Sequence, residues 1–133
     1  MKRNDFRVAV SLLAVLLFSG CAVLAVGGAA VGAGTGTYLY IDGELKTDYA
    51  HSFDKVWAAC EKTIADMRGM EVRPVKEIAQ GKITTTINDE KVKIEVSYKS
   101  KDQTSVSIRV GLVGNKLSSQ RLHDKIAENL AKN

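Results

Sequence analysis

The chain has 133 residues, with 19 Lys and Arg against 15 Asp and Glu, and it is 45% apolar and 26% charged. This length fits one domain, and the composition excludes a disordered, collagen-like or polytopic chain. One Pro and two Cys exclude a Pro-rich linker and a disulfide scaffold, and a net charge of +4 is too small to imply nucleic acid as a partner. The charges are unevenly placed. No Asp, Glu, Lys or Arg occurs from Val8 to Ile41; 4 of the 34 charged residues lie in 1–7 and the other 30 in 42–133.

The first segment reads as an address. Lys2, Arg3 and Arg7 outweigh Asp5, and Val8 to Phe18 is an eleven-residue apolar run, the length of a signal-peptide core. Ser19 and Gly20 then place small side chains before Cys21, as a signal peptidase pocket requires. Leu17-Phe18-Ser19-Gly20-Cys21 resembles the lipobox of bacterial lipoproteins, with Phe18 where Leu, Val or Ile is usual. The resemblance implies a signal peptide over 1–20, cleavage before Cys21, a diacylglycerol on the Cys21 thiol and an acylated new amine. With Ala22 rather than Asp next, it also implies the periplasmic face of the outer membrane. A competing reading is an uncleaved anchor, because Val8 to Val31 is 24 uncharged residues, enough to span a bilayer in the same orientation. Ser19-Gly20 and the glycines from Gly27 onward make a poor second half of such a helix, so the lipid anchor is preferred.

Residues 21–37 join this address to the rest. Gly28, Gly32 and Gly36 recur every four residues and would share one helix face, where packed backbones approach closely and the chain self-associates. A loose Gly/Ala tether between lipid and domain is the alternative. A phosphate-binding loop is excluded, since no Lys follows the glycines and the GxGxxG spacing is missing.

Residues 38–133 read as one small α+β domain. After the Asp42-Gly43 turn signal, Leu45, Thr47 and Tyr49 alternate with Glu44, Lys46 and Asp48, a half-buried strand. Ser52 caps a helix running to about Arg68, with Gly69 as its terminator. Its stripe is Phe53, Val56, Trp57, Cys60, Ile64 and Met67. Met70 to Ile78 is a weak strand that, with Pro74, is expected to lie at an edge or to bend. Lys82 to Asn88, Lys91 to Lys99 and Thr104 to Val110 each alternate apolar and polar residues, and short polar connections make them an antiparallel meander. A last helix starts near Asn115 or Ser118 and ends near Leu130, with Leu122, Ile126 and Leu130 on its apolar stripe. The expected order is β-α-β-β-β-β-α, a two-layer sandwich with four to five strands and two helices on one face.

Val56-Trp57-Ala58-Ala59, Gly81-Lys82-Ile83 and Val106-Ser107-Ile108-Arg109-Val110-Gly111 resemble a family of small bacterial lipoproteins whose shared domain has no assigned function. At fold level alone the layout is similar to the helix-grip domains of the outer-membrane assembly lipoprotein BamC, a likeness that transfers no function.

Chemistry is sparse. Cys60 lies on the helix stripe and is expected to be a buried hydrophobe rather than a nucleophile. His51 is expected in a surface turn and His123 on a solvated helix face. Neither histidine belongs to a metal-ligand or catalytic spacing, so no cofactor and no enzymatic activity are expected. Lys91, Lys93 and Lys99 share a strand face with Glu95, and Arg109 shares it from the next strand. This basic stripe is either a solvated, edge-protecting face or a contact for lipid headgroups, lipopolysaccharide or a sugar polymer. The expectation is a lipid-anchored, non-catalytic envelope module that binds an envelope protein or glycan. The alternative is a membrane-inserted protein self-associating through Gly28, Gly32 and Gly36.

Overall fold

The computed structural model describes residues 30–31 and 37–132. In chain order the elements are β1 (Ala30–Val31), β2 (Thr37–Ile41), β3 (Glu44–Tyr49), α1 (Phe53–Asp66), β4 (Met70–Lys76), β5 (Gln80–Ile87), β6 (Glu90–Ser100), β7 (Gln103–Val110) and α2 (Lys116–Ala131). The strands form one antiparallel sheet in the order β1-β2-β3-β7-β6-β5-β4. Both helices pack on each other and on the central strands β3, β6 and β7. The fold is therefore the expected α+β sandwich of an antiparallel sheet and two helices.

The strand count exceeds the expectation. Asp42 (φ 53°) and Gly43 (φ 80°) form a two-residue hairpin turn of the left-handed kind, which folds 37–49 into the two strands β2 and β3 instead of one. Asn88 (φ 50°) and Asp89 (φ 65°) make the same turn between β5 and β6. Ala30 and Val31 pair with Tyr38 and Thr37, so these two residues are strand where a helix through 22–37 was one expectation. Cys21, Gly28, Gly32 and Gly36 lie outside the described residues.

Alternation puts Leu45, Ile83, Ile87, Val92, Ile94, Val96, Val106, Ile108 and Val110 under the helices, all buried. The period breaks at Tyr98, which is half-exposed. β4 is an edge strand with every residue exposed, as Pro74 requires, and a bulge between Met70 and Arg73 interrupts its register.

The Ser52 hydroxyl accepts from the Lys55 amide and starts α1, and the Asn115 side chain does the same for Ser118 in α2. The end of α1 departs from expectation. Gly69 N–H donates to Ile64 O at 2.9 Å and Arg68 N–H to Ala65 O at 3.1 Å, a Schellman closure whose left-handed residue is Arg68 (φ 57°). Gly69 is needed for space: a Cβ there would lie 2.6 Å from Ile64 Cγ2 and 2.7 Å from Thr85 Oγ1.

Gly81 is tighter still. A Cβ on it would lie 2.2 Å from Trp57 Cζ3, so the indole rests on bare strand backbone. Phe53 stacks on Trp57 at 6.3 Å between centroids, and Lys76 Nζ sits 5.7 and 5.8 Å from the two rings. Between the helices, Asn129 Nδ2 donates to Thr63 Oγ1 at 2.9 Å and to Asp66 Oδ2 at 3.2 Å, while the Thr63 hydroxyl donates to Ala59 O at 2.7 Å.

His123, expected on a solvated face, is fully buried. The β2–β3 hairpin covers it: the Tyr38 and Tyr49 rings lie 5.0 and 5.6 Å from the imidazole, and the Tyr49 hydroxyl donates to His123 O at 3.3 Å. Neither imidazole nitrogen has a hydrogen-bond partner among the described residues. Burial holds the imidazole below its ordinary value of 6.5, against the weaker upward pull of Asp124.

Two measurements test this packing. Gly81→Ala should displace Trp57 and cost about 1–3 kcal/mol, read from the midpoint of urea unfolding. Because the folded state disfavours protonated His123, stability should be full above pH 6.5 and fall as pH drops through the window below it. In His123→Phe that slope between pH 5 and 6.5 should disappear; an unchanged slope would place its origin elsewhere.

Candidate functional site

The helices occupy one face of the sheet, and among the described residues nothing covers the other. Register aligns one residue from each of five strands across that open face: Arg73 beside Thr84, Thr84 beside Lys93, Lys93 beside Arg109, and Arg109 beside Glu44. Directly paired residues project from the same side of a sheet, so these five form a continuous polar row. One row nearer the strand ends, Lys91 lies beside Thr86.

Glu44 organises the row. Its Oε1 lies 3.5 Å from Lys93 Nζ and 3.4 Å from Arg109 Nε, and its Oε2 accepts from the Ser107 hydroxyl at 3.0 Å and lies 3.8 Å from Lys46 Nζ. Partial burial opposes ionisation of this carboxyl, but Ser107, Lys93 and Arg109 together outweigh it and hold Glu44 below the usual carboxylate range. Lys93 also reaches Glu95 at 3.3 Å. Arg109 uses its remaining donors on backbone, Nη2 to Asp42 O at 2.8 Å and Nη1 to Leu112 O at 3.3 Å. It ties the β2–β3 turn to the loop that leads into α2.

The expected basic stripe is thus divided. Lys99 is several rows away and donates to Asp48 Oδ2 at 2.7 Å, a contact that lowers the Asp48 pKa. Lys93 and Arg109 are engaged by Glu44. Lys91 has no ion-pair partner among the described residues, and the same holds for Arg73. A groove of about 440 Å³ brings Lys91, Lys93 and Arg109 together with Arg73, Glu71 and Leu112. Arg73 escapes a reading of the sequence because β4 alternates poorly. Its place beside Thr84 depends on the bulge at its start. Glu44 and Asp48 are legible as outward residues of β3, but their role depends on β3 lying against β7.

The groove offers Arg73, a planar fork of donors, and Lys91, a mobile point charge, to a phosphate or carboxylate. Elsewhere, Cys60 is fully buried, and burial, reinforced by Glu61, pushes its thiol up to about 12, so it stays protonated at neutral pH. His51 lies in the turn before α1, where its carbonyl accepts from the Thr104 hydroxyl at 2.9 Å. Among the described residues no group of three His, Cys, Asp or Glu is placed to hold a metal ion, and no helix is long and apolar enough to cross a membrane.

Residues 6–129 match the model of a family described as a protein of unknown function, DUF3568. The chain belongs to that family. The match runs through the apolar N-terminal segment and the α+β domain alike, so the two belong to one family unit. No curated protein matches the chain.

Removing Arg109 separates its two roles from those of an exposed pair. Arg109→Gln should cost about 1–3 kcal/mol, because Glu44 and two backbone carbonyls lose a charged donor. Lys99→Gln, at an exposed pair, should stay within about 0.5 kcal/mol. Urea unfolding of both variants checks the contrast.

Proposed function

We propose that this chain is a lipid-anchored protein of the bacterial envelope, held by Cys21 at the periplasmic face of the outer membrane. Its α+β domain is a non-catalytic module that binds an anionic envelope component. The anchor rests on Leu17-Phe18-Ser19-Gly20-Cys21 after a basic start and an eleven-residue apolar run. The binding role rests on one observation: the open sheet face carries a groove in which Arg73 and Lys91 have no ion-pair partner among the described residues. On that face Lys46, Lys93, Arg109 and Lys99 are paired with Glu44, Glu95 or Asp48, whereas Arg73 and Lys91, unpaired among the described residues, meet in one groove.

Mass spectrometry of the protein recovered from membranes tests the anchor. A mature N-terminus at a diacylated, N-acylated Cys21 is expected, and a retained Met1 with an unmodified Cys21 overturns it. A photo-crosslinker at Thr84 tests the groove in intact cells. It should trap a discrete adduct that Arg73→Glu with Lys91→Glu removes, and an adduct indifferent to that charge reversal would move binding off the groove.

A further inference from the structure

The end of the sandwich that carries the β2–β3 turn also presents a braced apolar tip. In the Gly111–Gly114 loop, Leu112 and Val113 are 90% and 89% exposed, and Leu117 in the first turn of α2 and Ile41 at the end of β2 are 59% and 46% exposed. A loop of spare residues would fold such side chains inward. This one is held out. Arg109 donates to Leu112 O and to Asp42 O, locking the two turns together. Gly114 lies so close to Gly43 that a Cβ on it would be 2.3 Å from Gly43 Cα, which leaves the loop no room to settle. Cations flank the tip: Lys91, whose carbonyl accepts from Gly111 N–H at 2.8 Å, and Lys116, whose Nζ sits 5.9 Å over the Tyr40 ring. Asp42 lies within the two turns. At the base of the loop the Glu90 carboxylate is engaged by Asn115 Nδ2 and the Ser118 hydroxyl, each at 3.0 Å, and Asp89 lies in the neighbouring β5–β6 turn.

We propose that this tip seats in the interface of an anionic lipid bilayer, with Leu112 and Val113 entering the acyl boundary and Lys91 and Lys116 meeting headgroup phosphates. A convex apolar loop with basic neighbours suits a fluid surface, where apolar area and anionic charge act together, rather than a preformed protein cavity. The proposal rests on the lipid-anchor reading for its geometry. β1 runs antiparallel to β2, so Ala30, paired with Tyr38, is the tip-side residue of β1. From the level of Tyr38 to the Asp42 turn is about 13 Å of strand. The nine residues from Cys21 to Ala30 reach at most about 30 Å. An anchored Cys21 therefore lets the tip reach the membrane that holds the lipid.

The test uses the full chain, purified from membranes and reconstituted in vesicles of phosphatidylethanolamine and phosphatidylglycerol containing a nitroxide-labelled lipid. A fluorophore is placed at Val113→Cys, with a control at Lys101→Cys in the turn at the opposite end of β7. Quenching is expected at 113 and not at 101, and it should be lost when Leu112→Asp is added. Absence of quenching at 113, or equal quenching at both sites, overturns tip docking and leaves the apolar loop for a protein partner. The mass of the Cys21 peptide from the same sample separates the two readings. A lipidated Cys21 with an unquenched 113 fails the tip alone, whereas quenching at 113 with an unmodified Cys21 upholds the tip and fails the anchor.

Discussion

Trp57 packs directly on the backbone of Gly81, and the seam between α1 and the sheet depends on that contact. Two helices must cover one face of a wide antiparallel sheet, and they suffice only if the aromatic side of α1 reaches far toward β5. A side chain at 81 would lift the indole, open the seam between α1 and the sheet, and leave Phe53 and Lys76 without their stacking surface. The same economy of cover explains why β4, which meets α1 through Lys76 at its end, is exposed throughout and carries the Pro and the bulge that blunt an edge.

Burial on one face leaves the other free to be polar, and there electrostatics takes over from packing. Glu44 gathers Lys46, Lys93 and Arg109 around one carboxylate, and Arg109 extends that cluster to the two turns at the end of the sheet. Glu44, with Glu95 and Asp48, therefore engages Lys46, Lys93, Arg109 and Lys99, while Arg73 and Lys91 in the groove still face an incoming ligand. The groove and the tip are neighbours, sharing Lys91, Arg109 and the loop at Leu112. The proposed anion contact and the proposed membrane contact thus lie on adjoining surfaces of one rigid end.

Much of this was legible in residue order. Period-two alternation located β5, β6 and β7, Ser52 marked the start of α1, Asn115 was one of two residues offered for the start of α2, and Pro74 pointed to an edge or a bend in β4. Cys60 was readable as a buried hydrophobe from its place on the stripe. His123 was not. It adjoins the Leu122, Ile126 and Leu130 stripe, and whether that flank is wet depends on Tyr38 and Tyr49 arriving from a hairpin more than 70 residues earlier. Nor was the left-handed residue closing α1, where Arg68 takes the strained angle and Gly69 the crowded site.

By itself, the amino-acid sequence determined the charge-free N-terminal segment, the α+β class and the one-sided burial of the strands, because hydrophobic period and turn chemistry are local properties. Only the tertiary structure decided that β3 lies against β7. That single long-range pairing supplies Glu44 and Asp48 to the basic stripe, divides it, and leaves Arg73 and Lys91 as the free charges of the groove. Local spacing sets which face a residue takes, but charge pairing across a sheet follows strand order, which is fixed by how the whole core closes.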